Sequence, residues 1–73
     1  MEVDLKLPIL VLGMDKAEVT TAKVLLNHKG YSVPTFDTYF NRSLEYALTK
    51  FQKDRNLIPT GMVDGATWIY LLR

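Results

Sequence analysis

The residues that could carry catalysis in this chain are few, and their spacing forms no recognisable catalytic set. Ser43 is a hydroxyl nucleophile by type, yet no residue near it is an obvious base. Asp37, Asp54 and Asp64 fall at predicted turns or helix ends. General acid–base and nucleophilic catalysis need paired groups held in a cleft. A chain of 73 residues has little room for a deep pocket beside its core, so the sequence predicts no enzyme.

Composition restricts the other chemistries. Without cysteine the chain has no disulfide and no cysteine-based zinc site, and its one histidine, His28, cannot form a metal site alone. Nine basic and eight acidic side chains give a net charge of +1, which is not the basic balance of a nucleic-acid binder. The longest apolar run, residues 7–12, is far shorter than the roughly 20 residues that span a bilayer. We expect no cofactor, no metal, no nucleic-acid partner and no membrane insertion.

Side chains suited to ligand binding are more numerous. Tyr39 alternates with the apolar Phe40, and Tyr46 lies beside the apolar stripe of a predicted helix. A partly exposed tyrosine offers a flat apolar face and a hydroxyl to a sugar ring, although it could equally cover the edge of the core. Arg42 could form paired hydrogen bonds with a carboxylate or remain solvated. Asp37 could bind a ligand or shape its own loop as an Asx-turn residue, and we favour the structural role.

Two elements are predicted in the first 30 residues. Apolar residues alternate over residues 5–11, and a proline within that run favours an extended edge segment. Apolar residues at helical spacing then predict a helix over residues 16–29. Asp15 is expected as its N-cap, with Glu18 completing a capping box. Gly30 stands where a left-handed C-cap would lie.

Two further helices follow. Asn41 is expected to cap a second helix that ends near Arg55, with Asn56 in the left-handed conformation. Asp64 is expected to cap a third helix. The predicted buried positions are Leu44, Ala47, Leu48 and Phe51 in the second helix and Trp68, Leu71 and Leu72 in the third.

A weak internal repeat relates the first two helices. Each has three apolar residues at the same spacing, then a left-handed cap and an apolar residue. The two series are Val19, Ala22, Leu26, Gly30-Tyr31 and Leu44, Ala47, Phe51, Asn56-Leu57. Such repetition indicates two related units that share one core.

Several short motifs are fairly specific when they occur in this order. They are Gly30-Tyr31, Phe51-Gln52, Gly61-x-Val63 and Thr67-Trp68-x-x-Leu71. This series resembles the peptidoglycan-binding domain family, a three-helix cell-wall-binding module of bacterial and phage wall hydrolases. The resemblance covers about residues 5–71. The chain departs from the family pattern where Lys23, Thr38, Asn41, Leu44 and Thr60 replace glutamine, glycine, glycine, threonine and aspartate, respectively.

The resemblance implies a mainly α fold, a compact three-helix domain with short extended connectors. Residues 5–73 would form this single domain, and residues 1–4 a tail or linker remnant. The implied function is a non-catalytic monomer that binds peptidoglycan, through its glycan strand or its stem peptide, and tethers a linked wall hydrolase or other envelope protein. It would work in the cell envelope or outside the cell. Residues 1–4 lack the basic start of a signal peptide, so an export signal would have been removed, lie elsewhere or be unnecessary.

The resemblance also implies a shallow polar and aromatic groove on this domain. Its expected lining residues are Asp37, Thr38, Tyr39, Asn41, Arg42, Gln52, Thr60 and Gly61. Late in the second helix, Lys50, Lys53 and Arg55 form a small basic patch. This patch could attract the anionic polymers of a wall or be an ordinary solvated face.

Two other functions fit the same elements. The altered loop 37–41 would also suit a protein–protein interaction module that keeps the fold and has lost glycan binding. Three short helices are also the parts of a helix-turn-helix nucleic-acid binder. The balanced charge and the ten-residue loop between the first two helices argue against nucleic acid.

Overall fold

A computed structural model describes residues 7–73. Within them the chain forms three helices, α1 (Ala17–His28), α2 (Arg42–Asp54) and α3 (Gly65–Leu72). The predicted mainly α, three-helix fold is therefore confirmed. The expectations for residues 1–4 and for Leu5 lie outside the described residues. None of these helices has the length and apolar character needed to cross a membrane.

The predicted caps are confirmed for α2 and α3. The Asn41 side chain accepts a hydrogen bond from the Leu44 N–H at 3.0 Å, and the Asp64 side chain accepts one from the Thr67 N–H at 2.9 Å. Each bond satisfies a backbone donor that the first turn leaves without a partner inside the helix.

The prediction for the start of α1 is wrong. Lys16 is the N-cap residue, and no side chain caps the helix there. The Asp15 carboxylate instead accepts a hydrogen bond from the Thr38 hydroxyl, and Asp15 forms an isolated antiparallel bridge with Tyr39. The expected capping box with Glu18 is therefore absent, because a tertiary contact has taken the carboxylate that local sequence assigned to the helix.

The first two helices end in the same way. Gly30 has a φ of +95° and Asn56 a φ of +59°, as the sequence predicts for left-handed caps. The Tyr31 N–H then donates to the Leu26 carbonyl at 2.9 Å, and the Leu57 N–H donates to the Gln52 carbonyl at 2.8 Å. These are the long hydrogen bonds of the Schellman motif, and they turn the chain sharply away from each helix.

Short extended segments cross between the helices. Leu10 and Val63 form an antiparallel bridge with N–H···O distances of 3.0 and 2.9 Å. The Phe40 N–H donates to the Met14 carbonyl at 2.8 Å. The N-terminal segment is thereby joined to both the loop before α2 and the turn before α3, which confirms the predicted short connectors.

The core lies where α1, α2, α3 and these connectors meet. Trp68 is only 3% exposed, as predicted, and its indole N–H donates to the Pro8 carbonyl at 2.8 Å. Leu72 was predicted to be buried but is 48% exposed, because it occupies the outer side of the last turn of α3. The buried apolar residues are Leu10, Val19, Ala22, Leu26, Val33, Phe40, Leu44, Ala47, Leu48, Phe51, Val63, Trp68 and Leu71.

One buried polar side chain joins α2 to the turn before α3. The Gln52 amide N–H₂ donates to the Met62 carbonyl at 2.8 Å and to the Thr67 hydroxyl at 2.9 Å. Its carbonyl oxygen accepts from the Gly61 N–H at 3.0 Å. Gln52 is fully buried, so water cannot replace it as a partner for these groups.

The Gln52→Leu variant should be strongly destabilised, although leucine has a similar volume. It would leave the buried Gly61 N–H and the Met62 carbonyl without the partner that Gln52 provides, at a cost of roughly 1–3 kcal/mol for each group that stays unpaired. Urea unfolding at neutral pH measures the change. Lys53→Gln, an exposed change on the same helix, should shift the free energy of unfolding by less than about 0.5 kcal/mol. Equal stability of the two variants would contradict this role for Gln52.

Candidate ligand-binding surface

An ion pair with the buried Lys23 of α1 holds the loop before α2 against that helix. Lys23 is fully buried, and its ammonium group lies 2.6 Å from the Asp37 carboxylate. The Thr20 hydroxyl donates to the Asp37 carbonyl at 2.8 Å. The Asp37 carboxylate also accepts the Tyr39 N–H at 3.2 Å, which is the predicted Asx-turn geometry. Asp37 therefore shapes and anchors the loop that carries the predicted site.

The ion pair sets the charge state of Asp37. The hydrogen bond from Lys23 lowers the pKa of the Asp37 carboxyl, burial opposes this shift, and the Tyr39 N–H adds to the lowering. The carboxylate thus stays ionised over the whole neutral range. It is 42% exposed at the side chain, so a ligand could still reach it while Lys23 remains inside.

Two of the predicted lining residues lie inside the domain. Gln52 has no exposed surface, and its amide is occupied by the contacts described above. The structure therefore does not support Gln52 as a ligand contact. Gly61 is also buried, with a φ of +75°, and a Cβ there would lie 3.0 Å from Cγ of Glu45. Both residues shape the surface around Thr60, which is exposed.

Three of the remaining predicted residues lie together at one groove. Tyr39, Asn41 and Arg42 line a shallow groove of about 470 Å³ with Leu12 and Ser43, which we call the first groove. Its lining is mixed: Tyr39 is 46% exposed, while the Asn41 side-chain oxygen is engaged as the α2 cap. The Arg42 side chain is 82% exposed and contacts Glu45 at 3.0 Å. Leu12 was not predicted, because only the extended segment's path brings it here.

Thr38 and Thr60 do not line the first groove. Thr38 faces α1 and shares a mostly apolar groove of about 480 Å³ with Ala17, Thr21 and Val24. The Thr60 hydroxyl accepts hydrogen bonds from the Met62 N–H of its own turn at 3.2 Å and from the Gln52 amide at 3.3 Å. The predicted set is therefore divided over separate parts of the surface.

A larger groove lies between the end of α1 and the outer face of α2. It has a volume of about 540 Å³ and is called the second groove below. The residues that line it are Lys29, Gly30, Tyr31, Ser32, Tyr46, Ala47, Lys50 and Asp54. The position of Tyr46 beside the apolar stripe was the sequence signal for an exposed aromatic here. The contribution from residues 29–32 could not be predicted, since it depends on how α1 packs on α2.

The second groove combines aromatic and charged groups. Tyr46 is 67% exposed, and the Lys50 ammonium lies 5.6 Å from its ring centroid, within the range of a cation–π contact. The Tyr31 hydroxyl donates to the Asp54 carboxylate, and this hydrogen bond raises the pKa of Tyr31, with burial adding to it. The Tyr31 ring packs edge-on against Phe51 at 5.5 Å, so the groove has a fixed wall.

The first and second grooves are both open at the surface and lined by aromatic and polar side chains. Residues 15–71 of this chain match the family model of the peptidoglycan binding domain. This match covers most of the chain, and the chain belongs to the peptidoglycan-binding domain family. The resemblance found in the sequence is confirmed.

Solved structures of related domains share the fold. A peptidoglycan-binding protein from Clostridioides difficile, in complex with glutamine hydroxamate, superposes with a TM-score of 0.84 and 31% identity, over 88% of this chain and 40% of that one. The SleB N-terminal domain superposes with a TM-score of 0.83 over 89% of both chains. At 22% identity, the second likeness concerns the fold alone.

A relative of known sequence indicates the kind of protein in which such a domain occurs. A probable CtpA-like serine protease from Staphylococcus saprophyticus is 43% identical over 56 residues, which is 77% of this chain. The chain spans only 11% of the length of that relative. The likeness therefore concerns one domain of a much longer protein.

The ion pair between Lys23 and Asp37 should make stability depend on pH. Because the folded pKa of Asp37 is lowered, its contribution is fully present above the unfolded pKa of about 4 and is lost as the pH falls through the folded pKa. Asp37→Asn should therefore be less stable than the wild type at pH 7, and the difference should shrink below about pH 4. Thermal melts over this pH range measure it.

Lys23→Met provides the matched variant, because it keeps the buried alkyl chain and removes the charge. In the double variant the two effects should not add, since both changes remove the same interaction. A difference between wild type and Asp37→Asn that stays constant down to about pH 3 would contradict the assignment.

Proposed function

We propose that this domain binds peptidoglycan and holds a linked protein at the cell wall, without cleaving the polymer itself. Family membership is the observation that carries the proposal. The exposed first groove, with Tyr39 on the loop before α2 and Arg42 in the first turn of α2, supplies a surface of suitable chemistry. The domain would act as a monomer in the cell envelope or outside the cell.

The first groove would contact the polymer through complementary groups. The Tyr39 ring can pack against the apolar face of a sugar, and its hydroxyl can meet the ring substituents. The Arg42 guanidinium can donate to carbonyl or hydroxyl oxygens of the ligand. The Asn41 amide N–H₂ is available because the cap uses only its oxygen. Since Lys23 and Asp37 already fix the loop, binding would cost little ordering of the backbone.

Weak binding is sufficient for a tether. A dissociation constant of about 1 mM corresponds to only about 4 kcal/mol. Linkage to a second domain still raises the local concentration of that domain at an insoluble polymer. The chain covers only 11% of the staphylococcal relative, and this small share supports the proposal of a domain linked to a larger protein. The linked protein would be a wall hydrolase or another envelope protein, for example a protease.

Purified domain should co-sediment with insoluble peptidoglycan. Tyr39→Ala and Arg42→Gln should each weaken binding by roughly three- to tenfold, as the loss of about 1 kcal/mol would. Phe36→Ala is the matched aromatic control, because Phe36 is 84% exposed and lines neither the first nor the second groove. The bound fraction at increasing wall concentration gives the dissociation constant.

The outcome is decisive in either direction. If the folded wild-type domain remains in the supernatant with walls of every bacterial type tested, the proposal is overturned. If it sediments but all three variants bind equally, wall binding stands and the first groove is not its site.

A further inference from the structure

The first and second grooves follow one another along α2. Ser43 lines the first groove, and Tyr46, three residues later, lines the second. Residues three or four apart lie on the same face of a helix. Lys50 continues this face one turn beyond Tyr46, so the exposed side of α2 offers a row of ligand-facing positions about 10 Å long from Ser43 to Lys50. One extended ligand could occupy both grooves.

The charges of the second groove favour an anion at its far end. Among the described residues that line this groove, Lys29 and Lys50 supply two ammonium groups and Asp54 supplies one carboxylate. That carboxylate is held by the Tyr31 hydroxyl at one side of the groove. The Arg55 guanidinium lies 4.9 Å from the ring centroid of Phe51, the ring against which Tyr31 packs. An anionic group beside Tyr46 would therefore meet a net positive surface.

We propose that the second groove takes a free carboxylate of the stem peptide of peptidoglycan, while the glycan lies in the first groove. This inference rests on the proposed wall-binding function. In this arrangement the Lys50 ammonium pairs with the carboxylate. Lys29, on the opposite wall of the groove, adds positive electrostatic potential. The Tyr46 ring packs against the peptide backbone beside the carboxylate. Of the three residues in the basic patch predicted from the sequence, Lys50 lines the second groove.

The Lys50–Tyr46 contact prepares this site. With its ammonium over the Tyr46 ring, Lys50 is already positioned at the groove before a ligand arrives. Such positioning reduces the side-chain entropy that binding would otherwise cost. Both residues are exposed, so replacing them should not disturb the core, and the variants can be compared with the wild type as folded proteins.

The test uses soluble muropeptides with free stem carboxylates and the same muropeptides with those carboxylates amidated. Wild-type protein should bind the free form about tenfold more tightly in a titration followed by chemical shifts. Lys50→Gln should abolish this preference, and Tyr46→Ala should weaken binding of both forms. Lys53→Gln is the matched control, because it removes the same charge from an exposed position that does not line the groove.

The possible results separate this inference from the proposed function. If the wild type binds no wall and no muropeptide, both fail together. If the wild type binds, with Tyr39→Ala weaker, but shows no preference for the free carboxylate, this inference alone is overturned. The same holds if Lys50→Gln keeps the preference, or if Lys53→Gln loses it equally.

Phosphate groups of other wall polymers are a second source of negative charge. Walls from which these polymers have been stripped with hydrofluoric acid should retain the domain, and Lys50→Gln should still bind them more weakly than the wild type. If the wild type no longer binds the stripped walls, the anion bound by the second groove is a phosphate, and the carboxylate assignment is overturned.

Discussion

The hydrogen bonds of Gln52 are the constraint on which the arrangement of this domain depends. A chain of this size has short helices, and over residues 7–73 much of the backbone lies in connectors joined only by isolated bridges. Backbone groups buried in such connectors must still find partners. Gln52 provides them for Gly61 and Met62 and also contacts Thr67, so one side chain fixes the turn before α3 and the start of α3 relative to α2.

Asn27 in α1 has a comparable role. Its side-chain amide donates to the Val33 carbonyl at 2.7 Å and accepts from the Val33 N–H at 3.2 Å. In both helices an amide near the C-terminal end thus holds the segment that follows the left-handed cap. The weak internal repeat in the sequence corresponds to a shared structural device: a helix, a Schellman turn, and an amide that binds the returning chain.

These fixed connectors determine what the surface can offer. The buried Lys23 holds the Asp37 loop, and this loop presents Tyr39 beside the first turn of α2. The turn after α1 supplies one wall of the second groove, and α2 supplies the other. Residues inside the domain therefore determine the shape of this surface. Gln52 and Gly61, two of the motif residues, are buried and fix the turn before α3.

The sequence by itself determined the helices, the Asn41 and Asp64 caps, the left-handed Gly30 and Asn56, and most of the core. These features depend on local backbone preferences and on the 3.6-residue period, which neighbouring residues specify. Only the tertiary structure decided that Asp15 binds Thr38 instead of capping α1, that Gln52 is buried, and that Thr38 and Thr60 lie apart from Tyr39. The tertiary structure also decided which residues form the second groove. Each of these outcomes depends on contacts between segments distant in the chain, and at Asp15 such a contact overrides a local preference.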